Sequence, residues 1–434
     1  MPADSLTIPA KRSVFGANLR WSICGLLFFA TTVNYVDRQV LGILKPVLEQ
    51  DLGWNEKDYA WVVFTFQLAY ALMMPFAGRA MDWLGVRLGY ALAVIVWSTA
   101  SMLHSLASTP FQFAACRFGL GLGESANFPA AIKTVADWFP RRERALATGI
   151  FNSGSNIGAI VAPLAVPLIA AHFGWRASFL FTGGLDVIWL IVWLSFYRKP
   201  SEHKLLTAAE RQMIEADHAK ESQVKIPYSQ LIGKRAAWAF LLGKFMTDPV
   251  WWFYLFWVPG FLHDQYKLDL THLGPPLVAI YLVADAGSIF GGWLSTGLLK
   301  LGWDQSRARK GAMLLCALAV APVSCIMFTG GNLWLTVALI SLAAGAHQGW
   351  SANLYTIPSE TFPRPAVGSV VGLGGMGGAV GGMLVAPAIG WWLDYSHKSY
   401  APLFLWAGFA YLLALLVIHL LLPRITPAIL RAES

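Results

Sequence analysis

The chain has 434 residues, of which 56% are hydrophobic and only 13% are charged, with a net charge of +8. A soluble globular protein carries about 25% charged residues, so this composition excludes a soluble multidomain enzyme and indicates a polytopic membrane protein. The basic residues lie between apolar segments rather than in one patch, which excludes nucleic acid as a partner. The four cysteines also lie in apolar segments, without metal-type spacing, and are interpreted as small buried hydrophobes.

Twelve apolar segments are long enough to cross a bilayer, which takes about twenty residues of helix. The first is interpreted as an uncleaved helix rather than a signal peptide, because no small-residue cleavage site follows it closely. The predicted spans are 20–48, 59–81, 87–107, 110–138, 144–172, 175–197, 235–263, 273–300, 309–329, 331–358, 365–394 and 400–423.

A polar, charged stretch separates the sixth span from the seventh. Six spans, a linker and six further spans predict an all-α membrane protein, with twelve transmembrane helices in two six-helix halves around a central cavity. The predicted divisions are a cytoplasmic N-terminus at 1–19, an N-terminal six-helix bundle at 20–197, a cytoplasmic linker at 198–234, a C-terminal six-helix bundle at 235–423 and a cytoplasmic tail at 424–434.

Positive charge is distributed unequally between the two sides of the predicted bundle. Cytoplasmic loops of membrane proteins carry an excess of Lys and Arg. If the N-terminus is cytoplasmic, that side holds most of the basic residues, so both termini and the linker are predicted to face the cytoplasm. The opposite side keeps Lys45, Lys57, Arg176, Lys267 and Lys398.

The first and fourth predicted spans contain charged residues at membrane depth. The first has Asp37 next to Arg38, and the fourth has Arg117 and Glu124 seven residues apart, on one helix face and about 10 Å apart along the axis. Such charges are costly and are usually functional, although a structural ion pair between two helices is the alternative. Counting along the spans predicts that Asp37 pairs with Arg117, that Glu124 lacks a partner and suits a proton carrier, and that Arg38 is free to meet an anion.

Polar and aromatic residues in other spans are candidates for ligand recognition, since polar helices are tolerated where they line a cavity. For Trp251 the alternative is a lipid-facing position, and for His347 it is a satisfied interior histidine. The candidates are Gln67, Tyr70, Ser155, Asn156, Trp251, Tyr254, His347, Gln348 and Asn353.

The loop between spans two and three carries a GxxxDxxGxR pattern at 78–87. This pattern resembles the inter-helix signature of the major facilitator superfamily. Its glycines allow close helix approach, and its aspartate can cap a helix or pair with an arginine. Gly78, Asp82, Gly85 and Arg87 are therefore assigned to a gate between helices and not to ligand contact. In the second half, Thr296 replaces the aspartate.

Further motifs cover most of the chain. NYxDR in span one, RxxxGxGE followed by NFP in span four, WFP then ER at 138–144, and GWR at 174–176 resemble the anion:cation symporter branch of that superfamily. HQGWSAN in span ten and TDPVWWFYLFWVPGFL in span seven resemble bacterial hexuronate (galacturonate and glucuronate) transporters.

The resemblance implies proton-coupled import of a sugar-acid monoanion by alternating access in the bacterial cytoplasmic (inner) membrane. It implies a monomer with no cofactor, in which protons are the coupling ion. Ser155 stands where aldonate relatives commonly have glutamine, which favours a uronate. The matching positions are Arg38 for the substrate carboxylate, Asp37 and Glu124 for proton exchange, Arg117 for the coupling between them, and Tyr35 and Tyr70 for substrate contact.

Three alternatives remain open from the sequence. The first is the same mechanism with an aldonate, an aldarate or another organic anion. The second is a membrane-embedded receptor or channel, which the paired halves and the titratable residues disfavour. The third is a membrane-embedded enzyme, which the absence of HExxH, GxSxG and clustered metal ligands disfavours.

Overall fold

The computed structural model describes residues 19–218 and 228–428, which are helical and contain no strand. The predicted N-terminal segment, the middle of the linker and the end of the tail lie outside the described residues. The helices are α1 (Leu19–Leu52), α2 (Glu56–Leu84), α3 (Val86–Leu103), α4 (Pro110–Glu124), α5 (Asn127–Trp138), α6 (Arg141–Phe173), α7 (Trp175–Phe196), α8 (Ala208–His218), α9 (Tyr228–Ile232), α10 (Arg235–Tyr266), α11 (Gly274–Lys300), α12 (Gln305–Val320), α13 (Leu333–Leu354), α14 (Thr356–Thr361), α15 (Arg364–Tyr395) and α16 (Ala401–Leu421).

These helices make twelve crossings and confirm the predicted fold class. Two crossings consist of two helices each, α4 with α5 and α13 with α14, and α12 continues into a 3-10 stretch at Ala321–Phe328. The linker helix α8 is held to the first crossing, because Arg20 Nη1 lies 2.7 Å from Glu210 Oε1.

The crossings are not equally apolar. By length and composition, eight helices of the described residues can cross a membrane by themselves. The four other crossings are α1, α4–α5, α10 and α13–α14, so every third crossing falls short in helix length or in mean hydropathy. The polar side chains of these four crossings are largely buried inside the bundle.

Helices α1–α7 pack mainly against one another, as do helices α10–α16. The two halves meet along three helix pairs, α2 with α15, α6 with α11, and α1 with α10.

Close approach inside the N-terminal half depends on glycines of α4. A Cβ on Gly121 would lie 2.5 Å from the Phe66 carbonyl oxygen of α2, and a Cβ on Gly123 would lie 2.7 Å from the Trp97 nitrogen of α3. This contact holds the charged residues of α4 against the interior.

Ionic and hydrogen-bonded contacts join the halves at the end of the bundle opposite the termini, here called the distal end. Lys45 of α1 is buried and lies 2.6 Å from Glu56 Oε1. Lys398, in the loop after α15, lies 3.0 Å from Glu49 Oε2 and 3.1 Å from Asp264 Oδ2. We call Lys45, Glu49, Glu56, Asp264 and Lys398 the distal network.

Two further hydrogen bonds support the distal network. The Tyr59 hydroxyl donates to the Phe256 carbonyl oxygen at 2.7 Å, and the Glu56 backbone N–H donates to Asp394 Oδ1 at 3.0 Å. Burial acts to lower the pKa of Lys398, but nearby carboxylates, Glu49 foremost, hold that pKa above its usual value. Lys398 therefore stays charged at neutral pH and holds carboxylates of both halves together at the distal end.

Replacing Lys398 with methionine is expected to loosen the distal end. Exposed ion pairs contribute about 0.2–1 kcal/mol each, so loss of the two closest contacts should favour separation there by roughly fivefold. The measurement is the labelling rate of Ala60→Cys, at the α2–α15 contact, by a membrane-impermeant thiol reagent. Lys267→Met, at the same end but outside the network, is the control. Equal labelling rates in the Lys398 and Lys267 variants would contradict this role.

Candidate functional site

The centre of the site is the guanidinium group of Arg38 on α1. Arg38 is buried, and its Nε donates to Glu124 Oε2 at 2.5 Å. Its Nη2 has no hydrogen-bond partner among the residues that the structure describes. A cation over aromatic faces is stabilised without using up its N–H donors. Four rings lie within 4.9–6.0 Å of its Cζ, those of Tyr35, Phe66, Tyr70 and Trp252.

The Arg38–Glu124 pair corrects two expectations from the sequence. Glu124 was expected to be unpaired and Arg38 to be free, but the two form a buried salt bridge. Glu124 is the last residue of α4, and the chain then turns before α5 begins at Asn127. Residue counting gives depth along a span but not direction around the helix, so it did not reveal that this carboxylate points at α1.

Arg117 on α4 is buried, and none of its three guanidinium nitrogens has a hydrogen-bond partner among the described residues. The expected ion pair with Asp37 is not formed within 4 Å. Glu124 and Asp37 nevertheless interact with Arg117 electrostatically. Arg117 also lies over the Phe66 ring, 5.8 Å from its centre, and so is not held in a closed pair with one acid.

Asp37 points toward α3 and α7 instead. The Ser101 hydroxyl donates to Asp37 Oδ1 at 2.8 Å. The carboxyl group of Asp186, on α7, lies within hydrogen-bonding reach of the Asp37 carboxyl. Asp186 is 1% exposed, and it was not among the site residues predicted from the sequence. A lone acid within a very apolar predicted span was the available signal.

The wall contributed by the C-terminal half is built on one face of α10. Lys244, Asp248 and Trp252 follow one another at four-residue spacing, which places them on one side of a helix. Lys244 Nζ lies 2.8 Å from Asp248 Oδ2 and 4.6 Å from the centre of the Tyr355 ring. Since Trp252 lies over Arg38, this ion pair belongs to the same interior as the arginine.

The predicted recognition residues on this side are held by aromatic packing. Trp251 is stacked on His347 with ring centres 5.1 Å apart, so it faces the bundle rather than lipid. The Nδ1 atom of His347 is hydrogen-bonded to the Tyr411 hydroxyl at 2.5 Å. Tyr254 is buried, and its hydroxyl has no hydrogen-bond partner within the described ranges. The same holds for the buried amide of Gln67 on α2, a residue that lies beside Trp252 and Gly382.

Two other candidates are engaged within helices. Asn353 Nδ2 donates to the carbonyl oxygens of Gly291 and Gly349, at 2.8 Å and 2.9 Å, and so ties α13 to α11. The Ser155 hydroxyl donates to the Asn152 carbonyl oxygen at 2.6 Å and lies 3.3 Å from Asn156 Oδ1. Both amide hydrogens of Asn353 are in use, so it is not among the residues proposed below to bind ligand. Gln348 is half-buried, and its role stays a prediction.

The 78–87 motif lies at the junction of α2 and α3. Gly85 joins the two helices as a single residue with φ +74°, a conformation that favours glycine. Arg87 Nη2 donates to the Leu194 carbonyl oxygen at 2.6 Å and ties α3 to α7. The side chains at 78, 79 and 82 lie outside the described part of the chain, so the gating role of Gly78 and Asp82 stays a prediction.

The family model of the Major Facilitator Superfamily matches residues 27–303. The chain belongs to the major facilitator superfamily. It is therefore a multi-pass membrane transporter and not an enzyme, as the sequence predicts.

Individual relatives agree with this assignment. The chain is 32% identical over 422 residues to the hexuronate transporter of Escherichia coli (strain K12), covering 96% of each chain. It is 34% identical over 281 residues to the galacturonate transporter of Dickeya chrysanthemi, covering 64% of this chain and 81% of that one. The solved structure of a D-xylose-proton symporter shares the fold, with a TM-score of 0.71, 15% identity, and coverage of 92% of this chain and 97% of that chain.

Proposed function

We propose that this transporter is a proton-coupled symporter that imports a sugar-acid monoanion, a hexuronate such as galacturonate or glucuronate, by alternating access. The observation that carries the proposal is the buried Arg38–Glu124 pair, in which the guanidinium group keeps an unpartnered donor and an aromatic surround. A planar guanidinium group matches a carboxylate with two parallel hydrogen bonds. The similarity to hexuronate and galacturonate transporters supports the same ligand class.

Coupling follows from competition for one arginine. A substrate carboxylate that binds Arg38 displaces the Glu124 carboxylate. Glu124 is fully buried, and an unpaired charge there costs several kcal/mol. Protonation of Glu124 removes that cost, so binding of the anion and binding of the proton favour each other. The site then has the same net charge with and without the two ligands, which suits passage through a closed state.

The choice of a monoanion rests on the ion pair of the α10 wall. Asp248 neutralises Lys244, so this wall offers N–H donors and carboxylate acceptors but no net positive charge. Such a pair suits the hydroxyl groups of a sugar ring. A second carboxylate, as in an aldarate, would meet the acidic Asp248 there and would be disfavoured.

The proposed setting is the bacterial cytoplasmic membrane, with both termini in the cytoplasm, as the distribution of basic residues predicts. In this orientation the distal network closes the outer side of the transporter, and the substrate is released toward the cytoplasm. We propose that the chain acts as a monomer, with protons as the coupling ion and no other cofactor.

Glu124→Gln is expected to abolish accumulation driven by a pH gradient while leaving exchange of substrate for substrate. The amide carbonyl still accepts a hydrogen bond from Arg38 but cannot carry the proton. The measurement is uptake and exchange of labelled galacturonate in vesicles with an imposed gradient. Wild-type vesicles with a protonophore define the uncoupled level. Full gradient-driven accumulation in the variant would refute the role of Glu124.

Arg38→Lys is expected to weaken apparent substrate affinity by about tenfold or more, since a charge-assisted hydrogen bond contributes about 1.5–3 kcal/mol. Lysine keeps the charge but loses the planar fork and its fit to the surrounding rings. Concentration dependence of galacturonate exchange measures this affinity. An affinity close to that of the wild type would show that Arg38 does not hold the carboxylate.

Asp248→Asn is expected to admit dianions. The substitution leaves Lys244 charged and without its carboxylate, so galactarate should compete more strongly with labelled galacturonate. The double variant Lys244→Met/Asp248→Asn removes the freed cation and serves as the control, in which galactarate should compete weakly again. If galactarate competes equally with the wild type and both variants, the α10 wall does not select by charge.

A further inference from the structure

Two buried aspartates lie behind the arginine site, on different helices. Asp37 of α1 is 2% exposed and Asp186 of α7 is 1% exposed. Their carboxyl groups lie within hydrogen-bonding reach of each other. The Oδ2 atom of each has no donor among the described residues. The pair therefore belongs to the interior and not to a solvated surface.

Two ionised carboxylates cannot occupy this place together at low cost. A carboxylate only accepts hydrogen bonds, so a hydrogen bond between two carboxyl groups requires a proton on one of them. Like charges at this separation in a buried site also disfavour double ionisation, and carboxyl pairs at active sites share a proton for this reason. One proton on the pair satisfies both requirements.

The groups that face the pair agree with one shared proton. Hydroxyls come from Ser101 of α3 and Thr182 of α7, which also lie 3.3 Å from each other. The charged groups are Arg117 and Glu124 of α4, and in the described part of the chain Arg117 forms no salt bridge within 4 Å with either aspartate. The nearest cation is therefore close enough to stabilise one negative charge on the pair but does not neutralise both aspartates directly.

The charges of the interior balance only with that proton. Arg38 and Arg117 are cationic, and Glu124 is an anion in its salt bridge. If the two aspartates carry one negative charge between them, the buried set of five groups is neutral. Full ionisation of both aspartates would leave a net negative charge in a dry interior, which is costly.

We propose that Asp186 is a proton-coupling residue, and that Asp37 and Asp186 form a carboxyl pair that shares one proton and exchanges protons during transport. This inference rests on the proposed proton-coupled function. It differs from the sequence-based expectation in its partner, because Asp37 works with an acid on α7 rather than in an ion pair with Arg117. The pair lies in the same interior as Glu124 and interacts with it electrostatically, so the charge on one site affects the other.

The first experiment detects the shared proton without measuring transport. Infrared difference spectra of the purified protein at neutral pH compare the wild type with Asp37→Asn and with Asp186→Asn. Each single substitution should remove the same band of a protonated carboxyl group, because asparagine takes the place of the protonated partner and leaves the other aspartate ionised. A band unchanged in both variants would overturn the pair.

The second experiment measures the coupling of transport to the proton gradient in vesicles. Asp186→Asn should lose accumulation driven by a pH gradient but keep galacturonate exchange. Asp186→Glu keeps a titratable carboxyl group and should therefore keep part of the gradient-driven accumulation. Asp37→Asn and the double variant Asp37→Asn/Asp186→Asn should lose as much accumulation as Asp186→Asn alone, since one proton is shared. Asp285→Asn, an aspartate within α11, is the matched control and should keep accumulation.

The outcomes separate this inference from the proposed function. Wild-type accumulation that does not depend on the pH gradient would refute proton coupling as a whole. Gradient-driven accumulation by the wild type that persists in Asp186→Asn would refute only the role of Asp186. If both Asp186 variants lose exchange as well as accumulation, the proposed role of Asp186 is also refuted, because that pattern indicates a structural residue.

Discussion

The low tolerance of a membrane interior for unbalanced charge controls this structure. Arg38 is held by Glu124 and by four aromatic rings, and each of those contacts comes from a different position along the chain. The glycines of α4 bring Glu124 within reach, and Trp252 of α10 completes the surround from the other half. The packing of the halves and the chemistry of the site are thus parts of one electrostatic arrangement.

The two halves contribute unequally to that arrangement. The N-terminal half supplies the arginines and the three acids that we propose exchange protons. The C-terminal half supplies a neutral Lys244–Asp248 pair and a wall of aromatic rings. In the proposed function, proton exchange is therefore concentrated in one half, and recognition of the sugar depends largely on the other.

The sequence predicted the architecture better than the contacts. Twelve apolar runs predicted twelve crossings, because hydropathy depends on composition alone. The charged residues of α1 and α4 were expected in the interior, where the structure places them. Their pairing was wrong, since Glu124 stands at a helix break that changes its direction. Asp186 was overlooked because its span is otherwise apolar. Asn353 was predicted to be a ligand candidate because an amide that binds backbone looks the same in sequence as one that binds a sugar.

The recurrence of a polar crossing at every third position has a consequence for biosynthesis. Charged side chains such as Arg38 and Lys244 are costly in lipid until other helices cover them. Within its own half, α1 packs mainly against α6 and α7, and α10 packs mainly against α15 and α16, the last two crossings of that half. The first helix of each half is therefore covered only after the rest of that half has been synthesised, whereas α4 and α13 pack against the two crossings that precede them.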